Sequence, residues 1–129
     1  PHSEYAAVIP RFVTRILEGE PPVIYGDGDQ TRDFTFVKDV VKANILAGDG
    51  NAEGVFNIAC GRRISLNELA SRIMKICGQR LEPVYERPRT GDIRDSLADI
   101  SAARETLGYY PDYDMDSALM ETIRWFQKI

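Results

Sequence analysis

The chain has 129 residues, a net charge of −4 at neutral pH, and a composition that is 43% hydrophobic and 28% charged. This is the length and composition of one globular domain, which excludes extensive disorder, and no apolar run approaches the roughly 20 residues that cross a bilayer. The acidic balance argues against a nucleic-acid-binding surface. Two cysteines without metal-ligand spacing and a single histidine argue against a metal site, and we interpret the thiols as reduced and the protein as cytoplasmic.

The first predicted element is a helix that starts at Pro10 and ends at Gly19. Proline is favoured in the first turn of a helix, and apolar side chains at helical spacing follow it. Because the residue before a proline avoids the helical region, the preceding segment 5–8 is predicted to be extended.

Two short strands are predicted next, over residues 23–25 and 32–37, with a glycine-rich turn at Gly26-Asp-Gly-Asp29 between them. A dinucleotide-binding loop needs a third glycine at the start of a following helix, and this turn has none. We therefore interpret the segment as a β-hairpin and expect no cofactor-binding residue in this chain.

Helices and strands are predicted to alternate through the middle of the chain. Asp39 is expected to cap a helix that ends near Gly48. The apolar run Val55-Phe-Asn-Ile-Ala59 is typical of a strand that is buried on both faces. Ser65-Leu-Asn-Glu68 is a capping box, which predicts a helix that ends at Gly78.

A strand over 81–85, a polar loop over 87–96 and helices over 101–107 and from Asp114 or Asp116 complete the chain. Short connections between alternating helices and strands indicate the α/β class. No tyrosine is followed four residues later by a lysine, and no Ser/His/Asp or Cys/His set is present. We therefore expect no catalytic residue in this chain, and since it begins with proline, we interpret it as a piece of a longer protein.

Arg32 is the first residue that could carry chemistry. In a strand it would share a face with Phe34 and Phe36, where a guanidinium needs an anion beside it. Its planar fork suits a diphosphate or a carboxylate. Two interpretations stay open, a ligand-binding arginine or an internal salt bridge with Asp33 or Asp92.

The loop 87–96 carries three arginines and two aspartates around Gly91. Such a loop could bind a phosphorylated or polyhydroxylated ligand, with arginine on the charge and aspartate on the hydroxyl groups. The alternative is a solvated surface loop whose charges pair with one another. Tyr25 could offer its ring to a flat ligand or pack at the rim of the core.

Four strings, in this order, carry a resemblance to a known family: Tyr5-Ala-Ala-Val-Ile-Pro-Arg11, Tyr25-Gly-Asp-Gly-Asp-Gln-Thr-Arg-Asp-Phe34, Phe56-Asn-Ile-Ala59 and Gly91-Asp-Ile-Arg-Asp-Ser-Leu-Ala-Asp-Ile-Ser101. The sequence resembles the extended short-chain dehydrogenase/reductases, and among them the 4-epimerases of UDP-glucose/UDP-galactose or of their N-acetyl forms. The resemblance covers essentially the whole chain. Sugar 4,6-dehydratases, uronate decarboxylases and uronate epimerases share these strings.

The resemblance implies an α/β fold that is the C-terminal, substrate-binding portion of an NAD-dependent Rossmann-type nucleotide-sugar epimerase. Residues 1–129 are then a single fragment, in which about 39–60 pack against an N-terminal Rossmann half and supply a strand that completes its sheet. That half is expected to bind NAD and carry the catalytic residues, and the whole enzyme to be a homodimer that works through a 4-keto intermediate. A non-catalytic nucleotide-sugar-binding module is the alternative.

The resemblance also implies the substrate-binding positions, which are Ala7, Val8, Val23, Tyr25, Arg32, Arg89, Asp92 and Ser96. Arg32 and Arg89 match diphosphate-binding arginines, and Asp92 matches an aspartate at the ribose hydroxyls. Val23 and Tyr25 match the strand that supports the uracil. Ala7 and Val8 match an extended segment that lies along the ligand, and Ser96 matches a serine near the sugar.

Overall fold

The computed structural model describes residues 7–129, where helices and short strands alternate. The helices are α1 (Val8–Leu17), α2 (Val37–Asp49), α3 (Leu66–Cys77), α4 (Ser101–Leu107) and α5 (Met115–Gln127). The strands are β1 (Val23–Tyr25), β2 (Thr31–Arg32), β3 (Ile64–Ser65) and β4 (Val84–Glu86). β1 pairs in parallel with β4, and β2 pairs antiparallel with β3. None of the helices within 7–129 is long and apolar enough to span a bilayer.

The larger core lies between α1, α3 and α5. Phe12, Leu69 and Ile73 are fully buried in it, and β1 contributes the fully buried Ile24. Because side chains alternate along a strand, burial of Ile24 turns the side chains of its two neighbours in β1 to the opposite face. The core therefore fixes β1 and leaves one of its faces for other contacts.

A smaller core joins α2 and α4 around Tyr109. The Tyr109 hydroxyl donates to the Ala59 carbonyl at 2.9 Å, and burial raises the pKa of Tyr109 to about 12. The Asp112 backbone N–H donates to the Asp39 carboxylate at 2.8 Å. These two bonds tie the segment after α4 to α2 and to the chain before β3.

Three predicted helices are confirmed, and two of them, α3 and α5, have the predicted capping side chain at their N-terminus. The Ser65 side chain accepts from Glu68 N at 3.1 Å and starts α3, which ends at left-handed Gly78. The predicted span 101–107 is α4, and the Asp114 side chain caps α5 by accepting from Ser117 N at 2.7 Å. Each of these signals lies within a few residues of the helix end that it specifies.

The first two helices begin at other residues than predicted. Val8 is already helical, so its predicted extended conformation is wrong, while Ala7 before it is extended; Tyr5 lies outside the described residues. Pro10 fits at the third helical position because the first N–H groups of a helix have no intrahelical partner. α2 starts after Phe36, so Asp39 is not its cap.

The predicted hairpin is wrong, because β1 and β2 pair with different strands. The turn between them docks instead on the start of α3. Asn67 N donates to the Gly28 carbonyl at 2.9 Å, and Asn67 Nδ2 donates to the Asp27 carbonyl at 3.1 Å. Gly28 has φ +80°, and a Cβ there would lie 2.1 Å from Asn67 Oδ1, so this close contact requires glycine.

The strand predicted at 55–59 is also absent from the described part of the chain. Val55 is 97% exposed, and no strand pairs with this segment. A strand forms only where a second backbone supplies hydrogen-bond partners, and residues 7–129 offer none here. The strand predicted over 81–85 begins three residues later and ends one residue later than predicted, at Val84–Glu86.

Candidate functional site

The arginine-rich loop lies alongside β2. Thr31 N donates to the Arg94 carbonyl at 2.9 Å, and Ser96 N donates to the Thr31 carbonyl at 3.1 Å. Thr31 also forms a parallel bridge with Asp95. The backbone of the loop is thereby held next to Arg32. Ser96, which is predicted to lie near the sugar, follows Asp95 in the loop as Arg32 follows Thr31 in β2.

Arg32 forms an ion pair with Asp92. Its Nη2 donates to Asp92 Oδ1 at 2.6 Å and its Nη1 to the Thr31 carbonyl at 2.6 Å, and the two charged side chains are 22% and 33% exposed. An internal salt bridge is therefore present, with Asp92 as the partner, and ligand binding by Arg32 stays a prediction. The predicted aromatic strand face is wrong, because β2 ends at Arg32.

Asp33, the alternative partner, has a different role. Its carboxylate accepts backbone N–H bonds from Cys60 at 3.0 Å, Gly61 at 2.9 Å and Ala98 at 3.3 Å. Asp33 therefore connects the end of β2 to two segments that are distant in sequence. The sequence offered no local signal for this role, since all three donors are backbone groups.

Tyr25 and Asp92 are joined by Gln30, which is 4% exposed. Gln30 Nε2 donates to the Tyr25 carbonyl at 2.8 Å and to Asp92 Oδ2 at 3.4 Å. The Arg89 guanidinium lies over the Tyr25 ring, with its carbon 4.3 Å from the ring centroid. Four of the predicted residues, Tyr25, Arg32, Arg89 and Asp92, are therefore linked by contacts into one site. Sequence reasoning missed Gln30.

One edge of β1 stays open beside this site. The Pro22 carbonyl accepts from Val84 N at 2.9 Å, and Gly26 N donates to the Glu86 carbonyl at 3.0 Å, so these groups face β4. Backbone polar groups alternate in direction along a strand that pairs in parallel, so those of Val23 and Tyr25 point to the other edge, where the Tyr25 carbonyl accepts from Gln30 Nε2. No described strand pairs with that edge.

The remaining predicted positions, Ala7 and Val8, lie at the start of α1. Ala7 is exposed, and Val8 packs against the larger core. Their link to the site is Arg11, whose backbone N–H donates to the Ala7 carbonyl at 3.3 Å and whose guanidinium carbon lies 5.2 Å from the Tyr25 ring centroid.

The site can bind an anion and hydroxyl groups, because it combines guanidinium groups with a carboxylate and an aromatic ring. Residues 7–129 contain no cluster of side chains suited to a metal ion. A cavity of about 220 Å³ lies elsewhere, lined by Phe34, Cys60 and Tyr113 among others, and none of the predicted site residues lines it.

Comparison with known proteins gives the class. The chain belongs to the GDP-mannose 4,6 dehydratase family, whose model matches residues 2–122. It is 38% identical over 128 residues to a UDP-glucose 4-epimerase of Mycolicibacterium smegmatis, covering 98% of this chain and 41% of that protein. It is 36% identical over 133 residues to a UDP-N-acetyl-alpha-D-glucosaminuronate decarboxylase of Bacillus cytotoxicus, covering 97% and 41%. The chain thus spans about two fifths of these relatives.

Solved structures give the particular relatives. The UDP-glucose 4-epimerase of Thermotoga maritima, solved with UDP-glucose, matches with a TM-score of 0.93 and 41% identity, over 99% of this chain and 41% of that one. The UDP-glucuronic acid 4-epimerase of Bacillus cereus, solved with UDP-glucuronic acid and NAD, matches with a TM-score of 0.90 and 27% identity, over 99% and 42%. The resemblance to nucleotide-sugar epimerases and the predicted α/β fold class are confirmed.

Proposed function

We propose that this chain is the UDP-sugar-binding part of an NAD-dependent 4-epimerase that interconverts UDP-glucose and UDP-galactose, or their N-acetyl forms, through a 4-keto intermediate. The observation that carries the proposal is the contact network that joins Tyr25, Arg32, Arg89 and Asp92 beside the open edge of β1. The Thermotoga maritima epimerase, with 41% identity and UDP-glucose in its structure, supports this substrate class.

Each group of the site then has a part in binding. Arg32 and Arg89 bind the diphosphate, Asp92 accepts from the ribose hydroxyls, the Tyr25 ring supports the uracil, and the backbone of Val23 bonds to the edge of that base. The start of α1, at Ala7 and Val8, runs along the ligand, and Ser96 lies near the sugar.

Binding changes partners that the free site already holds. The Arg89 guanidinium occupies the Tyr25 ring, where the uracil is proposed to stack, and Arg32 is engaged with Asp92. A base that stacks on the ring displaces the Arg89 guanidinium, whose N–H groups then donate to the diphosphate. Without ligand, the contacts with Tyr25 and Asp92 hold the two guanidinium groups at the site, and the ligand then replaces these contacts.

The described residues do not fit an NAD site. The Gly26-to-Asp29 turn is held against Asn67 of α3 and leads into β2, so it has no helix N-terminus at which a pyrophosphate could bind. We assign NAD and the catalytic residues to an N-terminal Rossmann half. NAD in the Bacillus cereus relative supports the cofactor.

This chain has exposed apolar side chains at which the Rossmann half is proposed to bind. Val37, Val41 and Ile45 are 65%, 51% and 57% exposed along α2, and Val55 is 97% exposed. Val37, Val41 and Ile45 are spaced four residues apart and so share one face of α2, and an exposed apolar face is typical of an interface. We propose that residues 39–60 pack there against the Rossmann half, and that 55–59 then join its sheet as a strand.

We also propose a cellular location and an oligomeric state for the complete enzyme. A cytoplasmic location is supported by the free thiols Cys60 and Cys77. A homodimer is proposed for the complete enzyme from its family. Dehydration and decarboxylation are the alternative reactions, since the Bacillus cytotoxicus relative is a decarboxylase at 36% identity.

Product analysis tests the function. The complete enzyme, with the Rossmann half and NAD, is expected to convert UDP-glucose to UDP-galactose or UDP-N-acetylglucosamine to its 4-epimer, which proton NMR resolves. The 129-residue chain alone is expected to release no product. A 4-keto-6-deoxy product would establish a dehydratase, carbon dioxide from a UDP-uronate would establish a decarboxylase, and turnover by the chain alone would contradict the account.

A further inference from the structure

Arg11 shares the Tyr25 ring with Arg89. Their guanidinium carbons lie 5.2 Å and 4.3 Å from the ring centroid, within the range of cation–π contact. Arg11 comes from the first turns of α1, whereas Arg89 comes from the loop after β4. Two elements that are distant in sequence therefore bring positive charge to one aromatic ring.

No carboxylate within residues 7–129 pairs with either guanidinium. Arg11 Nε is buried and has no hydrogen-bond partner among the described residues. Arg15, about one turn further along α1, differs in both respects, since it pairs with Glu20 at 3.2 Å and donates to the Pro21 carbonyl at 2.7 Å. Among the described residues Arg11 therefore has neither the carboxylate nor the carbonyl acceptor that Arg15 has.

The electrostatics of Arg11 follow from this placement. Burial and then the charge of Arg89 lower the pKa of Arg11, and Tyr25 counters them only in part. A partly buried guanidinium beside the like charge of the exposed Arg89 is stabilised by an anion that contacts both. Such an anion would also supply an acceptor for Arg11 Nε, for which residues 7–129 provide none.

We propose that Arg11 is a third phosphate-binding arginine of the site, which contacts the diphosphate of the UDP-sugar together with Arg89. The inference rests on the proposed function, because it takes UDP as the anion. It adds a contact from α1 to those from β2 and from the loop after β4. The diphosphate then contacts three segments that are distant in sequence.

The test is a calorimetric titration of the complete enzyme with UDP, UMP and uridine. Arg11→Gln keeps most of the side chain and removes its charge, and it is expected to weaken UDP binding roughly tenfold or more, as the loss of a charge-assisted hydrogen bond does. Uridine binding is expected to stay the same. Arg11→Lys should recover part of the loss, because it restores the charge without the fork.

Arg15→Gln is the matched control, and it should bind UDP like the wild type because Arg15 faces Glu20. UDP binding by Arg11→Gln with wild-type affinity overturns the inference and leaves the proposed function standing. Equal losses for UDP and uridine with a lower melting temperature also overturn it, since they show a structural role. If Arg11→Gln does not fold, Arg11→Lys decides by the same comparison. Failure of the wild type to bind UDP overturns both proposals.

Discussion

Replacing Arg32 with alanine is expected to weaken UDP-sugar binding by the complete enzyme roughly ten- to a hundredfold. The lost contact is charge-assisted, worth about 1.5–3 kcal/mol, and about 1.4 kcal/mol corresponds to a factor of ten. Loss of the 2.6 Å contact to Asp92 is expected to lower the melting temperature as well, because Arg32 also holds the loop after β4. A ligand titration and a thermal melt of the same variant measure the two effects.

Arg32→Lys should recover only part of the affinity, since lysine lacks the planar fork. Arg94→Ala is the matched control. Arg94 lies in the same loop and pairs with Asp27, but that pair is more than half exposed and is expected to contribute little. If Arg32→Ala melts at a lower temperature but binds UDP-glucose like the wild type in its folded fraction, Arg32 is only a structural ion-pair partner.

Asp33→Ala is expected to have the largest effect on stability, about 3 kcal/mol or more in the free energy of unfolding. It removes the acceptor of three backbone N–H groups. Hydrogen bonds to a charged group contribute about 1.5–3 kcal/mol each, so three sum to about 4.5 kcal/mol at the low end, and we expect less than that sum because Asp33 is only half-buried and water replaces part of the lost bonding. A loss of this size lowers the melting temperature by roughly 10 °C. Chemical denaturation measures it directly.

Asp95→Ala serves as the control for Asp33→Ala, because the exposed Asp95 accepts a single bond from Thr31 Oγ1 at 2.8 Å. We expect it to lose well under half as much stability. Asp33→Asn should be intermediate, since its amide keeps one oxygen acceptor and turns an NH₂ group towards backbone donors. Equal stability of Asp33→Ala and Asp95→Ala would contradict the role assigned to Asp33.

Sequence predicted the fold best where the signal and the structure are local. The caps at Ser65 and Asp114 lie within three residues of the N–H groups they bind, and both helices form as predicted. Strand pairing depends on distant residues instead. The partner of Val23 is Val84, which no pattern near β1 indicates, so the turn alone predicts a hairpin that does not form.

The same distinction applies to the site. Arg32 and the loop 87–96 stand out in the sequence by their charges, and the family resemblance then implies Arg89 and Asp92 as the binding residues within that loop. Gln30 could not be predicted, because its importance comes from a contact with Asp92, 62 residues away. Arg11 was hidden for the same reason, since its ring partner belongs to another element and only the fold brings the two together.

The central claim is that one UDP-sugar site is built on Tyr25, Arg32, Arg89 and Asp92. A crystal structure of the complete enzyme with UDP-glucose tests it most directly. The account predicts diphosphate oxygens within about 2.7–3.2 Å of the guanidinium nitrogens of both arginines, the uracil on the Tyr25 ring, and Asp92 at the ribose. A diphosphate bound away from both arginines, with the Arg32–Asp92 pair and the Arg89–Tyr25 stack unchanged, would contradict it.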